Sequence, residues 1–215
     1  MRIEPLGDAA FIVRDIDFAP AFVVAARVER LNLPGVLEVS ASYDTLGVYV
    51  DPSEFDLEAL QGALEQSTPY QQGVVGKLHE VPVCYDLGED LESSASELDL
   101  SPDDLVRHHT SVEYTCYAVG FSPGFPYLGY LPSQIAGLGR LAAPRLMVPN
   151  GAVAVAGRQT GIYPGGRPGG WRLLGITPLE IVNMSEDYFP ISAGDRVAFR
   201  AIGLRDYKSL QGERL

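Results

Sequence analysis

The chain carries the stretch GFSPGFPYLG at residues 120–129, whose first two residues end an apolar, strand-like run at residues 114–121. Two prolines and several glycines give this stretch a rigid and specific backbone path. The wider segment 120–175 holds 13 of the 23 glycines and 7 of the 16 prolines of the chain, together with aromatic and apolar side chains. Closely spaced strands with glycine and proline corners are typical of a closed barrel. We therefore predict a β-barrel in this part of the chain.

Aromatic side chains in such loops either pack down onto the barrel or line a pocket. We predict that Phe121 packs down, while both outcomes stay open for Phe125 and Tyr127. The residues predicted to shape the loops are Pro123, Gly124, Phe125, Pro126, Gly157, Gly169, Gly170 and Trp171.

The first 70 residues alternate strand and helix signals, which indicates a small α+β unit. Its first helix is predicted at residues 20–31, with one inward face. The residues predicted for that face are Phe22, Val23, Ala26 and Arg30. The polar, glycine-bearing segment 68–76 is predicted to be a linker. The fold class is therefore α+β, with an N-terminal α+β domain at residues 1–76 and a barrel domain at residues 77–215.

Further elements are predicted in the second domain. A helix at residues 101–109 is well marked, because Ser101 is a good N-cap and Pro102 suits the first helical position. A second short helix is predicted at residues 89–97. Strands are predicted at residues 78–85, 114–121, 152–156, 171–175, 179–183 and 196–202.

Charge is distributed unevenly along the chain. The net charge is −12, with 22 acidic and 6 basic residues in positions 1–113 against 6 acidic and 10 basic residues in positions 114–215. Between Glu113 and Glu180 there is no Asp or Glu, and the cations of this acid-free stretch are all arginines. These arginines are Arg140, Arg145, Arg158, Arg167 and Arg172. Arginine suits carboxylate or phosphate oxygens, so the acid-free stretch is predicted to form an anion site or a surface for an acidic partner.

The composition excludes several classes of protein. A net charge of −12 argues against a general binder of nucleic acid or of anionic membranes. No apolar run is long enough to span a membrane, and the first residues lack the apolar stretch of a signal peptide. We therefore expect a cytoplasmic protein. The two cysteines, Cys84 and Cys116, form no disulfide framework and are predicted to be small core residues.

The segment GRQTGIYP at residues 157–164 is rich in groups that can hydrogen-bond a small polar ligand. It could equally be a hairpin whose polar side chains bond the local backbone. No phosphate-binding loop with Gly-Lys-Ser/Thr occurs, and the histidines and cysteines show no zinc-site spacing, so we predict no metal site built by this chain. His109, at the end of a predicted helix, is a candidate general acid or base, although a structural role favoured by the helix dipole explains it better. The sequence indicates no catalytic nucleophile.

Four motifs, in this order, resemble the family of 5-oxoprolinase B subunits. They are GFSPGFPYLG, APRLMVPNGAVAVAG, GRQTGIYP and PGGWRLLGITPLEI, and the segments at residues 2–10 and 103–110 are also similar. This family includes the sporulation-kinase inhibitor KipI and is also known as allophanate hydrolase subunit 1. It is similar to one half of the carboxyltransferase region of urea carboxylases.

The resemblance implies an N-terminal α+β domain followed by a cyclophilin-like β-barrel. It also implies one component of an ATP-dependent 5-oxoprolinase, which opens 5-oxoproline to glutamate together with a C subunit and with an A subunit that carries the hydrolytic step. ATP would be used by the complex, and the chain would be inactive alone. Two alternatives stay open: a KipI-like inhibitor that binds a sensor histidine kinase, and a carboxyltransferase-type component that acts on urea or a related amide.

Both 5-oxoproline and ATP are anions, which agrees with the acid-free stretch. The residues predicted to line the site of a small anionic substrate are Arg145, Gln159, Thr160 and Tyr163. The main contact with a partner protein is predicted on the barrel domain, because aromatic side chains and arginine are enriched at the energetic centres of interfaces. The aromatic candidates for that contact are Phe125, Tyr127, Tyr130 and Trp171.

Overall fold

We describe the fold from a computed structural model, which describes residues 1–17, 19–65 and 76–215. The chain forms two compact units, Met1–Val75 (unit 1) and Gly76–Leu215 (unit 2). Both units contain helices and strands, which confirms the α+β fold class. The linker predicted at residues 68–76 lies, apart from its last residue, outside the described residues, and the domain boundary predicted there stays a prediction.

Unit 1 is a four-stranded antiparallel sheet with two helices in its described part. The elements are β1 (Arg2–Pro5), β2 (Ala10–Arg14), α1 (Ala21–Leu31), β3 (Val36–Ser42), β4 (Thr45–Val50) and α2 (Leu57–Glu65). The strand order is β1-β2-β4-β3. The α+β organisation predicted for this half and its first helix are confirmed in the described residues.

Helix α1 packs on the sheet through a different face from the predicted one. Its buried residues are Ala21, Val24, Ala25 and Val28. The predicted face is wrong, because Arg30 at its end is exposed and its other members are only half-buried. A face of alanines and valines lets the helix lie close to the sheet, whereas burial of an unpaired guanidinium would be costly.

Unit 2 contains the remaining elements. They are β5 (Leu78–Val83), α3 (Leu91–Glu97), α4 (Pro102–His109), β6 (Glu113–Val119), β7 (Pro126–Gly129), β8 (Arg145–Val148), β9 (Ala152–Ala156), β10 (Gln159–Ile162), β11 (Arg167–Gly169), β12 (Arg172–Ile176), β13 (Arg196–Ala201) and α5 (Leu204–Ser209). Two short 3-10 helices lie at Tyr85–Leu87 and Met184–Glu186. Helix α4 begins as predicted, since the Asp104 backbone N–H donates to Ser101 Oγ at 3.1 Å. No helix in the described part of the chain is long and apolar enough to cross a membrane.

Seven strands of unit 2 form a barrel-like sheet in the order β12-β9-β10-β7-β6-β13-β5. Neighbours are antiparallel except β13 and β5, which are parallel. The two edges meet just beyond β5, where the backbones of Cys84 and Ile176 exchange hydrogen bonds of 2.9 and 3.1 Å. This pair closes the sheet, and the predicted barrel is confirmed. A separate two-stranded sheet, β8 with β11, belongs to the same unit.

Strand β9 is buried on both faces, which explains its uninterrupted apolar sequence AVAVA. Val153 and Val155 belong to the core inside the barrel. Ala152, Ala154 and Ala156 belong to a second cluster that contains Phe125, Tyr163, Trp171 and Leu173. Because alanine is small, this outer face of β9 leaves room for large aromatic rings.

The strand predicted at residues 179–183 is wrong. Glu180 makes one isolated bridge to Arg214, and Asn183 makes one to Tyr188. Four short strands, β7, β8, β10 and β11, were not predicted, because they are only three or four residues long and most of them carry glycine or proline.

Candidate functional site

An aromatic pocket opens beside the outer face of β9. Its volume is about 220 Å³. Aromatic rings from Phe121, Phe125, Tyr127, Tyr163 and Trp171 line it. Arg140, Pro144, Pro168, Gly169 and Gly170 complete the wall. We call this group of residues the aromatic pocket.

Phe125 is the centre of the aromatic pocket and is only 2% exposed. Its ring centroid lies 5.0 Å from that of Tyr127, 5.1 Å from Tyr163 and 5.5 Å from Trp171, each in an edge-to-face arrangement. Edge-to-face contacts bring the positive edge of one ring to the negative face of the next, and each contributes about 0.5–1.5 kcal/mol beyond area burial. The pocket therefore has walls held in a defined shape.

Glycine at position 169 is required by close approach to Tyr163. A Cβ atom on Gly169 would lie 2.4 Å from the Tyr163 hydroxyl oxygen. The same hydroxyl accepts a hydrogen bond from the backbone N–H of Trp171. The glycine-rich loop after β11 thus wraps around the Tyr163 side chain, and Gly169, Gly170 and Trp171, all predicted to shape loops, line the pocket.

The other residues predicted to shape loops lie at turns or strand ends. Gly124 has a φ of +72°, and a Cβ there would lie 2.2 Å from Val182. Pro123 precedes it in the turn before β7, and Pro126 begins that strand. Gly157 lies in the tight connection between β9 and β10.

Phe121 stands at the mouth of the aromatic pocket and is 63% exposed. The prediction that this ring packs down is therefore wrong. Its φ is +66°, a left-handed conformation that is uncommon for a bulky residue. The ring meets Phe125 and Tyr163 at centroid distances of 5.6 and 6.4 Å. This backbone conformation therefore places an aromatic side chain at the entrance rather than in the core.

Arg140 is the charged residue of the pocket lining. Within residues 1–17, 19–65 and 76–215 it forms no salt bridge. Burial raises the pKa of Tyr163, while the Trp171 N–H and the positive charges of Arg140 and Arg145 act in the opposite direction. The pocket is thus lined by aromatic rings and has the Arg140 guanidinium at its exposed rim.

Arg145, predicted to bind substrate, is instead paired with carboxylates. Its Nη2 lies 2.8 Å from Asp90 Oδ1, and its Nε lies 3.1 Å from Glu89 Oε2. Asp90 is 7% exposed, and its second carboxylate oxygen accepts the Leu173 backbone N–H at 2.7 Å. Arg145 therefore ties β8 to the start of α3 and to β12.

The acid-free stretch receives its carboxylates from elsewhere in unit 2. Arg172 pairs with Glu97 at 2.9 Å, as Arg145 pairs with Glu89 and Asp90. Arg158 lies over the ring of Tyr130 at 4.5 Å. In the described part of the chain, Arg140, Arg158 and Arg167 are left without a carboxylate partner, and of these only Arg140 lines the pocket.

His109 and Thr160 lie together in the barrel core, both 0% exposed. Tyr85 Oη lies 2.7 Å from His109 Nδ1, and His109 Nε2 lies 2.9 Å from Thr160 Oγ1. The Thr160 hydroxyl donates to the Ala154 carbonyl at 3.1 Å. The Tyr85 O–H therefore donates to Nδ1, and the His109 Nε2–H donates to Thr160. We call Tyr85, His109, Thr160, Tyr114 and Phe199 the His109 cluster, since Tyr114 and Phe199 pack against the imidazole.

Burial lowers the pKa of His109 to about 3. Both ring nitrogens have partners, and the imidazole stacks on Phe199 at 4.7 Å. A general base needs contact with its substrate, which this closed environment does not offer.

Gln159, at the start of β10, is half-buried and pairs in register with Ala156 and Gly129. The four residues predicted to bind substrate thus lie in different environments, and of these only Tyr163 lines the pocket.

Other reactive groups are also buried. Burial raises the pKa of Cys116 to about 12 and also raises that of Cys84. In the part of the chain that the structure describes, no group of three or more His, Cys, Asp or Glu side chains is arranged to hold a metal ion. Sequence reasoning placed Arg140 in the acid-free stretch but did not single it out among the arginines as a residue of the pocket lining.

The comparisons with known proteins identify the same family that the sequence motifs predicted. The carboxyltransferase domain, subdomain C and D, family matches residues 1–190. The 5-oxoprolinase B subunit of Bacillus subtilis (strain 168) is 35% identical over 237 aligned positions, which cover 99% of this chain and 97% of that protein. The crystal structure of TTHA0988 matches 90% of this chain with a TM-score of 0.79 and 36% identity. The matched part spans 40% of the TTHA0988 chain.

Urea carboxylase of Kluyveromyces lactis shares the fold, with a TM-score of 0.72 over 97% of this chain and 22% of that one. At 17% identity this likeness concerns the fold alone. The family match and the Bacillus relative together confirm the resemblance predicted from the motifs. The chain belongs to the carboxyltransferase subdomain C and D family, among the B subunits of 5-oxoprolinase.

Proposed function

We propose that this chain is the B subunit of a cytoplasmic, ATP-dependent 5-oxoprolinase that opens 5-oxoproline to glutamate together with the C and A subunits of that enzyme. The observation that carries the proposal is the 35% identity to a 5-oxoprolinase B subunit over 99% of this chain and 97% of that protein. The aligned region includes the barrel and the aromatic pocket. An aromatic pocket with an unpaired guanidinium at its rim agrees with a small anionic substrate.

The chemistry of the described residues supports a component that is inactive alone. Opening an amide requires an activated nucleophile or a positioned base. Cys116 is buried with a pKa of about 12, and His109 is buried with a pKa of about 3 and with both nitrogens engaged. The proposal therefore assigns the hydrolytic step to the A subunit and the use of ATP to the assembled complex.

Exposed apolar side chains on β8 support a partner contact on unit 2. Leu146 is 91% exposed and Met147 is 71% exposed. Adjacent apolar side chains with this exposure suit an interface better than contact with water. Phe125 and Trp171, predicted to make this contact, are buried, so Leu146 and Met147 take their place in the proposal.

The first experiment measures 5-oxoproline-dependent ATP hydrolysis by the chain alone and by the chain purified with the A and C subunits. We expect activity only in the complete assembly, and none when this chain is omitted. Robust turnover by the isolated chain would contradict the non-autonomous role. A complete assembly with no 5-oxoproline-dependent hydrolysis would contradict the function itself.

The second experiment tests the partner contact with matched variants. Met147 in unit 2 and Leu37 in unit 1 are both 71% exposed, so Met147→Asp and Leu37→Asp place the same charge on equally exposed positions. We expect Met147→Asp to reduce co-purification with the C subunit, while Leu37→Asp leaves it unchanged. The reverse result would place the interface on unit 1.

A carboxyltransferase-type function on urea or a related amide is the second candidate. The family match to a carboxyltransferase domain favours it, although it is less specific than the similarity to a named 5-oxoprolinase component. Biotin-dependent, avidin-sensitive activity with urea would favour this function. Tight binding to a sensor histidine kinase, without activity toward 5-oxoproline, would instead favour a KipI-like inhibitor.

A further inference from the structure

The aromatic pocket combines apolar walls with one cation that lacks a protein partner. Phe125, Tyr163 and Trp171 are at most 5% exposed and form the inner wall. Arg140 lies at the exposed rim and, unlike Arg145, has no carboxylate within reach in the described part of the chain. A guanidinium beside a wall of edge-to-face aromatic rings suits a ligand that has an apolar body and one carboxylate.

The size of the pocket restricts the ligand further. Its volume of about 220 Å³ lies below the range of roughly 300–1,000 Å³ that is typical for drug-sized ligands. A nucleotide with its base, sugar and phosphates exceeds this space, whereas a five-membered ring with one carboxylate fits it. The pocket therefore favours the small substrate of the proposed reaction over ATP.

We propose that the aromatic pocket binds 5-oxoproline, with the lactam ring against Phe125 and Trp171 and the carboxylate on Arg140. This inference rests on the proposed function, which supplies the identity of the cyclic carboxylate. Tyr163 donates its O–H to the lactam carbonyl of the ligand. Its hydroxyl oxygen is held in place because it accepts a hydrogen bond from the Trp171 backbone N–H. Phe121 at the mouth covers the bound ring on the solvent side.

Trp171 provides a direct test, since it is the single tryptophan of the chain and lines the pocket. The intrinsic fluorescence of the isolated full chain is titrated with 5-oxoproline and with 2-pyrrolidinone, which has the same ring without the carboxylate. The variants are Arg140→Gln and the control Arg167→Gln, an exposed arginine of the same acid-free stretch that does not line the pocket.

We expect saturable binding of 5-oxoproline by the wild-type chain and by Arg167→Gln. Binding should be about tenfold weaker or more for Arg140→Gln and for 2-pyrrolidinone, because a hydrogen bond to a charged group is lost. Equal affinity of wild type and Arg140→Gln for 5-oxoproline would overturn the assignment of Arg140. Equal affinity for the two ligands would overturn the role of the carboxylate.

The same variants in the complex with the A and C subunits separate this inference from the proposed function. We expect the KM for 5-oxoproline to rise about tenfold or more in Arg140→Gln and to stay unchanged in Arg167→Gln. A complex that hydrolyses ATP with 5-oxoproline, with the same KM in both variants and no fluorescence response, overturns the inference and leaves the function intact. Carboxylate-dependent binding by the chain, with no activity in the complete complex, overturns the function and leaves the site.

Discussion

The His109 cluster and the aromatic pocket both lie in unit 2, but they differ in solvent exposure. His109 and Thr160 are fully buried, and the polar atoms that join them to Tyr85 are all hydrogen-bonded. The pocket is open, and its cation, Arg140, has no carboxylate partner among the described residues. The polar atoms that join His109 to its neighbours are hydrogen-bonded within the core, whereas the Arg140 guanidinium lies at the open pocket without a carboxylate partner among the described residues.

This difference distinguishes the groups that stabilise the fold from the groups that we propose bind a ligand. Buried polar atoms with complete hydrogen bonding hold one arrangement of the core, and they resist protonation because a charge there would be desolvated. An unpaired guanidinium at the rim of an apolar pocket stays solvated until an anion arrives. Residue type alone does not distinguish the two, since histidine and threonine are common in active sites.

Substitution of His109 should give the largest loss of folding stability and should leave the kcat of the complex unchanged. His109→Ala leaves a core cavity and deprives Tyr85 and Thr160 of a partner, so we expect the free energy of unfolding to fall by about 3–5 kcal/mol. Thr160→Val, which keeps the shape of the side chain, should cost about 1–3 kcal/mol. Chemical denaturation measures both. A stable His109→Ala protein whose complex has lost its kcat would show that His109 is catalytic after all.

Substitution of two arginines from the acid-free stretch should affect the stability of the fold to different extents. Arg145→Ala removes the partner of Asp90, which is 7% exposed, so the free energy of unfolding should fall by about 1.5–3 kcal/mol. Arg140→Ala removes no protein contact of this kind, and its stability should stay within about 0.5 kcal/mol of wild type. The comparison fails if Arg140→Ala is the less stable of the two variants in the same denaturation experiment.

Acid should reveal the burial of His109 through a gradual loss of stability. Its folded pKa of about 3 lies below the unfolded value of 6.5, so the unfolded state binds more protons between these two pH values. The stabilising contribution is therefore complete above pH 6.5 and is lost as pH falls toward 3, by about 1.4 kcal/mol per pH unit. Unfolding measured from pH 7 to pH 4 should show this slope in wild type and a shallower one in His109→Gln. Identical slopes would mean that His109 is accessible to protons in the folded state.

Local sequence signals predicted much of the fold. Ser101 and Pro102 marked the start of α4 because capping depends on neighbouring residues alone, and the alternating Ala-Val run of β9 marked a strand. The barrel was predicted from the spacing of glycines and prolines. Residues 179–183 were predicted to form a strand but make only isolated bridges. The sequence of such a run does not show whether a partner strand lies beside it.

The candidate site was harder to predict, because pairing between distant residues decides it. Arg140 and Arg145 are five positions apart in a stretch without acids. Arg145 meets Asp90 only through the fold, across 55 positions of sequence. The absence of nearby carboxylates in the sequence therefore could not tell which arginines stay unpaired in the fold. Likewise, nothing in the motif around Phe121 indicated its left-handed backbone.

A crystal structure of the chain soaked with 5-oxoproline tests the central claim most directly. The account predicts electron density for the ligand in the aromatic pocket, with its ring against Phe125 and Trp171 and its carboxylate within hydrogen-bond distance of Arg140. An empty pocket at saturating ligand, or the carboxylate bound at a different site, would contradict it.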